Sequence, residues 1–294
     1  MATAETMTQL SLKNILYATD FSESSQAALP HAVAIARRFE STVHVVHVVT
    51  PVTMVLPFEP FPTDYRSPAE KQMASLLDSD LLKDVSRNGL VVEGNLWNEL
   101  QKLFQEQKFD LIVLGTHGRG GVEKLALGSV AEEIIRSAPC PVLTVGPHVP
   151  ADVTPEFKPQ EVLCATDLLT DSTKAVPYSI ALAREGGTHL TLVHAIHAPD
   201  QEDIAYPDTM RADVKTQLEM LFPSGEDLSS TPDFVVEFGP TAEVILRAAE
   251  KERVDLIVMG VKHTDHPWFT SHVAWVTIHQ VLAQAHCPVL TVRV

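Results

Sequence analysis

The sequence predicts an α/β protein built from two tandem copies of a five-stranded parallel sheet, each with helices on both faces. Three observations carry this. Long segments recur at a fixed offset: NILYATDF from Asn14 returns as EVLCATDL from Glu161, so Asp20 matches Asp167 and Pro30 matches Pro177, 147 residues apart. CPVLTV recurs at Cys140 and Cys287 with the same offset, and FDLIVLG (109–115) recurs as VDLIVMG (254–260) at 145. Within each copy, β-branched runs alternate with helix-spaced segments, and the runs are apolar on both faces. Such strands need helical cover on both sides, which is the signature of a parallel sheet with right-handed crossovers.

The elements of the first copy follow in order. Asn14–Ala18 is an apolar strand ending in Thr-Asp. Ser22–Phe39 has helical spacing with Ser and Glu at its start. Thr42–Val49 (TVHVVHVV) is a β-branched buried strand. Residues 50–68 are proline-rich and form an irregular excursion. Met73, Leu76, Leu77, Leu81 and Val85 fall on one helical face. Leu90–Val92 is a strand, Leu96–Gln107 a helix, Leu111–Leu114 a strand ending at Gly115, Ser129–Ser137 a helix and Val142–Val145 the last strand. The second copy repeats the order at 162–165, 173–185, 189–196, 209–222, 234–237, 241–252, 256–259, 274–284 and 289–293. The copies span 1–147 and 158–294, joined by a polar, proline-rich linker, Gly146 to Pro159.

Composition narrows the function. The 294 residues suit two domains. There is no apolar run of 18 residues and no secretory signal, so a membrane span is not expected. Three cysteines without CxxC spacing point to a reducing compartment, and a cytoplasmic protein is expected. The net charge of −16 argues against an extended nucleic-acid or anionic-membrane surface, but not against a local nucleotide site.

In an open parallel sheet, ligands sit beyond the carboxyl ends of the strands at the topological switch point. That rule points to the loops after the first and fourth strands, which begin at Asp20 and Gly115. The second of these reads GTHGRGGVEKLALGS and, with Gly128, holds 5 of the 13 glycines. Glycine lets backbone N–H groups approach a ligand and form an anion nest. Gly128-Ser129 opens a helix whose first N–H groups are unpaired, and Arg119 could add a phosphate contact. Together these describe a place for a di- or triphosphate. A structural reading stands beside it: Ser129-x-x-Glu132 is also a capping box, and loop glycines are often turn residues. The loop is neither a Walker-type phosphate loop nor a dinucleotide fingerprint, since Gly115-x4-Gly120 is followed by Gly121-Val122 and Gly118-x-Gly120 runs into Glu123.

GTHG followed by nine residues and GS fits the G-x2-G-x9-G-S/T pattern of the ATP-binding universal stress proteins. ILYATDFSESS and PCPVLTV are also similar to that family, and the resemblance covers nearly the whole chain, twice. It implies a Rossmann-like sheet of order 3-2-1-4-5 in each copy. It implies ATP as ligand; Mg2+ or Mn2+ could bridge the phosphates, since nucleotide normally arrives as its magnesium complex. Gly115, Gly118, Gly128 and Ser129 would hold phosphates and ribose, with Arg119 and Val130 beside them. Ala18, Thr19 and Asp20 would line the adenine and ribose end, and Val48 would meet adenine through its backbone. It also implies pairing of the two domains through their last strands, and a homodimer is a further option.

The second copy departs from this pattern. Its loop reads VKHTDHPWFTSHVAWV: His263 replaces the second glycine, Val273 or Trp275 the third, and Ala274 or Val276 the serine. Asp167 survives while Leu169 replaces Ser22. Residues 1–150 hold 12 basic and 17 acidic residues, a net of −5, whereas residues 151–294 hold 10 and 21, a net of −11. One nucleotide site per chain is therefore expected, in the first copy.

Other residues offer less. His263, Asp265, His266 and His272 are too loosely spaced in a loop to define a metal site, and no protein metal ligand is assigned. His44 and His47 point to opposite faces of a strand and cannot chelate together. His47 and His194 are equivalent, as are Cys140 and Cys287, which favours packing roles. Cys164 sits mid-strand and is expected to be buried and inert. The apolar segment Pro51–Pro68 reads as a surface excursion, with a lid or partner surface as the alternative. No catalytic constellation is discernible. The leading function is an ATP-binding stress-response regulator with at most slow hydrolysis. A nucleotidyl- or phosphoryl-transfer enzyme on the same site, or a nucleotide-free scaffold, are the alternatives.

Overall fold

A computed structural model describes residues 10–50, 64–116, 127–169, 175–197, 206–222, 228–261 and 272–293. The first half runs β1 (Asn14–Ala18), α1 (Glu23–Gln26), α2 (Leu29–Phe39), β2 (Thr42–Val49), α3 (Arg66–Leu77), a 3-10 turn (Asp80–Leu82), β3 (Ser86–Glu93), α4 (Leu96–Glu106), β4 (Leu111–Gly115), α5 (Ser129–Ser137) and β5 (Val142–Val145). The second half runs β6 (Glu161–Ala165), α6 (Ala175–Gly186), β7 (His189–Ile196), α7 (Pro207–Leu221), β8 (Asp233–Phe238), α8 (Thr241–Lys251), β9 (Leu256–Val261), α9 (His272–Gln284) and β10 (Val289–Arg293).

The strands form one continuous sheet, β3-β2-β1-β4-β5-β10-β9-β6-β7-β8. Each half has the order 3-2-1-4-5, with every pairing inside it parallel. The halves meet where β5 and β10 pair antiparallel, Leu143 opposite Leu290. Those two leucines are 147 residues apart, so they are the same position in the two copies. The junction is therefore a pseudo-twofold axis, and the carboxyl edges of the two halves face opposite ends of the molecule.

Two apolar layers cover the sheet. On one face Ile15, Tyr17, Val43, Val45 and Val113 pack under α2, Met73 of α3 and, across the axis, α6 and Leu218 of α7. On the other face Leu16, Ile112 and Leu114 pack under Leu100 of α4 and Ile134 and Ile135 of α5, continuing to α8 and α9. Ile15, Leu16 and Tyr17 are completely buried, so three successive residues of β1 serve both cores. Burying side chains of this size stabilises the fold by roughly 1.5–3 kcal/mol each.

Several elements differ from expectation. The helix expected over 22–39 divides into α1 and α2. Pro30 lies in the first turn of α2, and its ring would clash with the carbonyl four residues back, at Gln26, the last residue of α1. The helical face drawn through Leu81 and Val85 also breaks: α3 ends at Leu77, and the Asp-Ser-Asp run at 78–80 leads into the 3-10 turn. Leu82, not Leu81, is then the fully buried residue. The excursion given to 50–68 stops earlier, since α3 starts at Arg66. Residues 51–63 lie outside the described residues. β3 is longer than the strand expected over 90–92, because all eight of its residues pair with β2.

The linker packs against the first domain. The Phe157 N–H donates to the Ala34 carbonyl at 3.4 Å, and Arg38 donates to the carbonyls of Phe157 (3.1 Å) and Glu185 (2.7 Å). Among the described residues, no helix is long and apolar enough to cross a membrane.

Candidate functional site

β1 lies between β2 and β4, and the crevice past its carboxyl end is the switch point of the first half. The registers set the levels. Ala18 is opposite Val46 and Tyr17 opposite Val113, which brings Asp20 level with Val48 and Thr19 level with Gly115. Ala18, Thr19, Asp20, Val48 and Gly115 thus converge on one edge of the sheet, where α5 starts with Gly128, Ser129 and Val130. Gly118 and Arg119 lie outside the described residues.

The turn after β1 is held by its own side chains. The Thr19 N–H donates to the Val46 carbonyl at 3.0 Å. The Thr19 hydroxyl accepts from the Phe21 N–H at 2.9 Å and lies 3.0 Å from the Ser25 hydroxyl. Asp20 Oδ1 accepts from the Ser22 N–H (3.0 Å) and the Ser22 hydroxyl (2.6 Å). Ser22 in turn caps α1 by accepting from the Ser25 N–H at 3.2 Å. Phe21 takes a left-handed conformation at φ 62°. That backbone is costly for an aromatic residue, and a ring contact with His47 at 4.5 Å helps to hold it.

His47 is the residue that motif reading underrates. Its Nδ1 lies 2.7 Å from the Thr19 carbonyl, fixing the start of the turn. The second copy repeats the device: His194 Nδ1 is 2.9 Å from the Thr166 carbonyl, and Leu168 has φ 62°. The shared position of His47 and His194 was the signal in the sequence. His44, on the opposite face, lies 3.0 Å from Asn14 Oδ1 and packs edge-on against Phe109.

Val48 offers its backbone to the crevice. Val46 O accepts from Thr19 on the β1 side, whereas Val49 O accepts from Gly94 on the β3 side. Because strand backbone alternates in direction, the amide and carbonyl of Val48 face the β1 side, past the last residue of β1.

At α5 the Gly128 N–H donates to the Thr116 carbonyl at 2.8 Å, closing the neck of the glycine-rich loop. Gly128 is the N-cap and has no side chain to satisfy the first N–H groups. Ser129 is exposed, and Val130 is 44% exposed. The expected capping box does not form. Ser129 is the first helical residue and not the cap, while Glu132 accepts from Arg136 (3.1 Å) and from the indole of Trp275 in the second domain (3.2 Å). Among the described residues, the N terminus of α5 therefore has no side-chain cap, and its N–H groups and dipole face an anion site.

Gly115 has a reason of its own to be glycine. A β-carbon there would stand 2.3 Å from the Ser24 carbonyl oxygen, so α1 packs directly on its backbone.

In the second half, α9 ends at Gln284 and α5 at Ser137, again 147 apart. The closing bonds repeat too: Ala138 N–H to the Ile134 carbonyl and Ala285 N–H to the Val281 carbonyl. This register settles the replacements: Trp275 stands for Gly128 and Val276 for Ser129. α9 begins four residues before the latter position, at His272. Val276 is thus already the fifth residue of a helix, where its N–H has an intrahelical acceptor. The histidine and aspartate group at 263–266 lies outside the described residues. No group of three His, Cys, Asp or Glu suited to a metal occurs among the described residues.

The cysteines are structural. Cys140, Cys164 and Cys287 are buried, and burial pushes each thiol up to about 12. Tyr17 is likewise pushed up to about 12 by burial, and its hydroxyl donates to the Ser25 carbonyl at 2.8 Å.

Comparison with known proteins agrees with this architecture. The family model described as the universal stress protein family matches residues 11–146 and again 159–293. A universal stress protein of Methanocaldococcus jannaschii is 34% identical over 142 residues, covering 45% of this chain and 81% of its own. Among solved structures, a universal stress protein from Archaeoglobus fulgidus aligns over 97% of both chains with TM-score 0.67 and 18% identity. A Pseudomonas aeruginosa protein of unknown function aligns over 97% of this chain and 93% of its own, with TM-score 0.61 and 17% identity. At such identities these two likenesses concern the fold alone. The chain belongs to the universal stress protein family and carries two copies of its domain in tandem.

Proposed function

We propose that the first domain binds one ATP per chain at the carboxyl edge of β1 and β4, and that the protein acts as a nucleotide-dependent regulator in the stress response. The observation that carries this reading is the open N terminus of α5. Gly128 caps it without a side chain, next to the neck formed with Thr116 and directly after a glycine pattern of the ATP-binding type. Backbone N–H groups of Gly128, Ser129 and Val130, with those of the loop and Arg119, would take the phosphates. The Val48 backbone would read adenine, and Asp20 would accept from the nucleoside end. The glycines at 115 and 118 keep the chain close to the ligand in this reading. Thr19 acts through the turn it braces rather than through its hydroxyl, which already serves Phe21 and Ser25.

Binding without efficient turnover fits the side chains present. Tyr17, at this edge, is buried and pushed up to about 12 by that burial, and its hydroxyl donates to the Ser25 carbonyl, so it does not serve as a general base.

The test is calorimetric titration of the nucleotide-stripped full chain with ATP. One site per chain is expected. Two sites would overturn the reading of the second domain, and absence of binding would overturn the ATP assignment.

A further inference from the structure

The residues that replace the glycine pattern in the second domain grip the first. Trp275, at the place equivalent to Gly128, donates its indole N–H to Glu132 Oε1 at 3.2 Å. The Arg136 guanidinium lies over the Trp275 ring, 3.8 Å from its centroid, and also donates to Glu132 Oε1 at 3.1 Å. His279, the residue equivalent to Glu132, completes the group. Its ring meets Trp275 edge-on at 4.9 Å, and its Nε2 lies 3.7 Å from Glu132 Oε2. Burial and no hydrogen-bond partner among the described residues mark that Nε2.

Glu132 is the fourth residue of α5. Side chains on a helix lean toward its N terminus. An unrestrained Glu132 therefore reaches back over the first turn, where a carboxylate repels any anion bound at the helix end. Arg136 sits one turn nearer the C terminus. By stacking on Arg136 and donating to Glu132, Trp275 fixes the carboxylate on the side away from Ser129.

We infer that the second domain sets the nucleotide affinity of the first through this cluster, with Trp275 as a positioning residue that holds Glu132 clear of the bound phosphates. The inference rests on the ATP reading above. It gives the second copy a role: its own site is replaced by helix, and the same replacements complete its neighbour's site. The coupling is reciprocal, so phosphate at the α5 N terminus favours the clamped state of Glu132 and steadies Trp275.

The experiment is ATP titration of the nucleotide-stripped full chain as wild type, W275F and W275F/E132Q, with circular dichroism to confirm folding. Phenylalanine keeps the ring under Arg136 and removes the N–H. The expected result is a roughly three- to tenfold weaker affinity in W275F, the effect of one loosened carboxylate near a polyphosphate. Affinity should return in W275F/E132Q, which lacks the repelling charge. Wild-type affinity in W275F, or no recovery in the double variant, overturns the coupling while leaving the ATP site standing. If the wild type binds no ATP, the ATP reading and the coupling fall together. Wild-type tryptophan emission that shifts on ATP addition, with the shift lost in W275F, supports the coupling independently.

Discussion

Gly115 and Ser24 are in backbone contact: a β-carbon at residue 115 would lie 2.3 Å from the Ser24 carbonyl oxygen and 3.2 Å from the Ser25 Cα. The end of β4 thus supports α1, which in turn carries Ser22 and Ser25, the residues that brace the turn holding Asp20. A glycine that a binding motif explains by ligand approach has an independent packing cause.

The two motif glycines should therefore behave differently. Gly115→Ala forces α1 outward and should cost roughly 1–3 kcal/mol in urea unfolding, as overpacking does. Gly118→Val should abolish ATP binding while leaving the unfolding midpoint nearly unchanged, because position 118 falls between β4, which ends at Gly115, and α5, which starts at Ser129. A Gly118→Val protein with full ATP affinity would refute the site.

The C-cap of α2 is Glu40, in a left-handed conformation at φ 52°. The equivalent residue in the second domain, 147 positions on, is Gly187 at φ 63°. A side chain in this conformation costs roughly 1 kcal/mol that glycine avoids. Glu40→Gly should raise stability by about 0.5–1 kcal/mol, measured as a higher denaturation midpoint.

His31 on α2 is pushed from 6.5 down to about 4 by burial, and its Nε2 has no partner among the described residues. The unfolded chain takes up the proton near 6.5, whereas the folded chain resists until about 4. Stability is therefore intact above 6.5, falls as pH drops below it, and the loss is complete below about 4. The loss should be about 2 kcal/mol after allowance for partial exposure. His31→Gln should flatten this part of the stability profile in pH-dependent denaturation.

Arg293 crosses the pseudo-twofold axis and donates to the carbonyls of Ser137 (2.6 Å) and Ala138 (3.0 Å) at the end of α5. Its equivalent is Gly146, where a β-carbon would press on the Leu282 carbonyl at 2.7 Å. One side of the axis is thus tied by a guanidinium, the other by close backbone approach. Arg293→Met should cost about 1.5–3 kcal/mol through two lost charge-assisted bonds. Calorimetry should then show a broader transition as the domains uncouple, and a single unbroadened transition would contradict this role.

The chain sequence alone determined the duplication, the β-α alternation and the edge where Asp20 and Gly115 meet. Repeats and periodicity are local signals: a strand buried on both faces is apolar at every position, and a segment 147 residues away with the same spacing folds the same way. The strand order came from family resemblance and was then observed. Local pattern failed where a distant or steric term intervened. Pro30 broke a helix that the apolar spacing continued, and the Asp-Ser-Asp run ended α3 before Leu81. Pairing of the domains through their last strands also came from the resemblance; only the tertiary structure decided its antiparallel register, Leu143 opposite Leu290, that Gly115 makes room for Ser24, and that Glu132 serves Trp275 instead of a capping box. These contacts depend on the relative placement of segments up to 147 residues apart, which no sequence period encodes. The axis places equivalent residues face to face, and divergence between the copies then made Glu132 and His279 complementary.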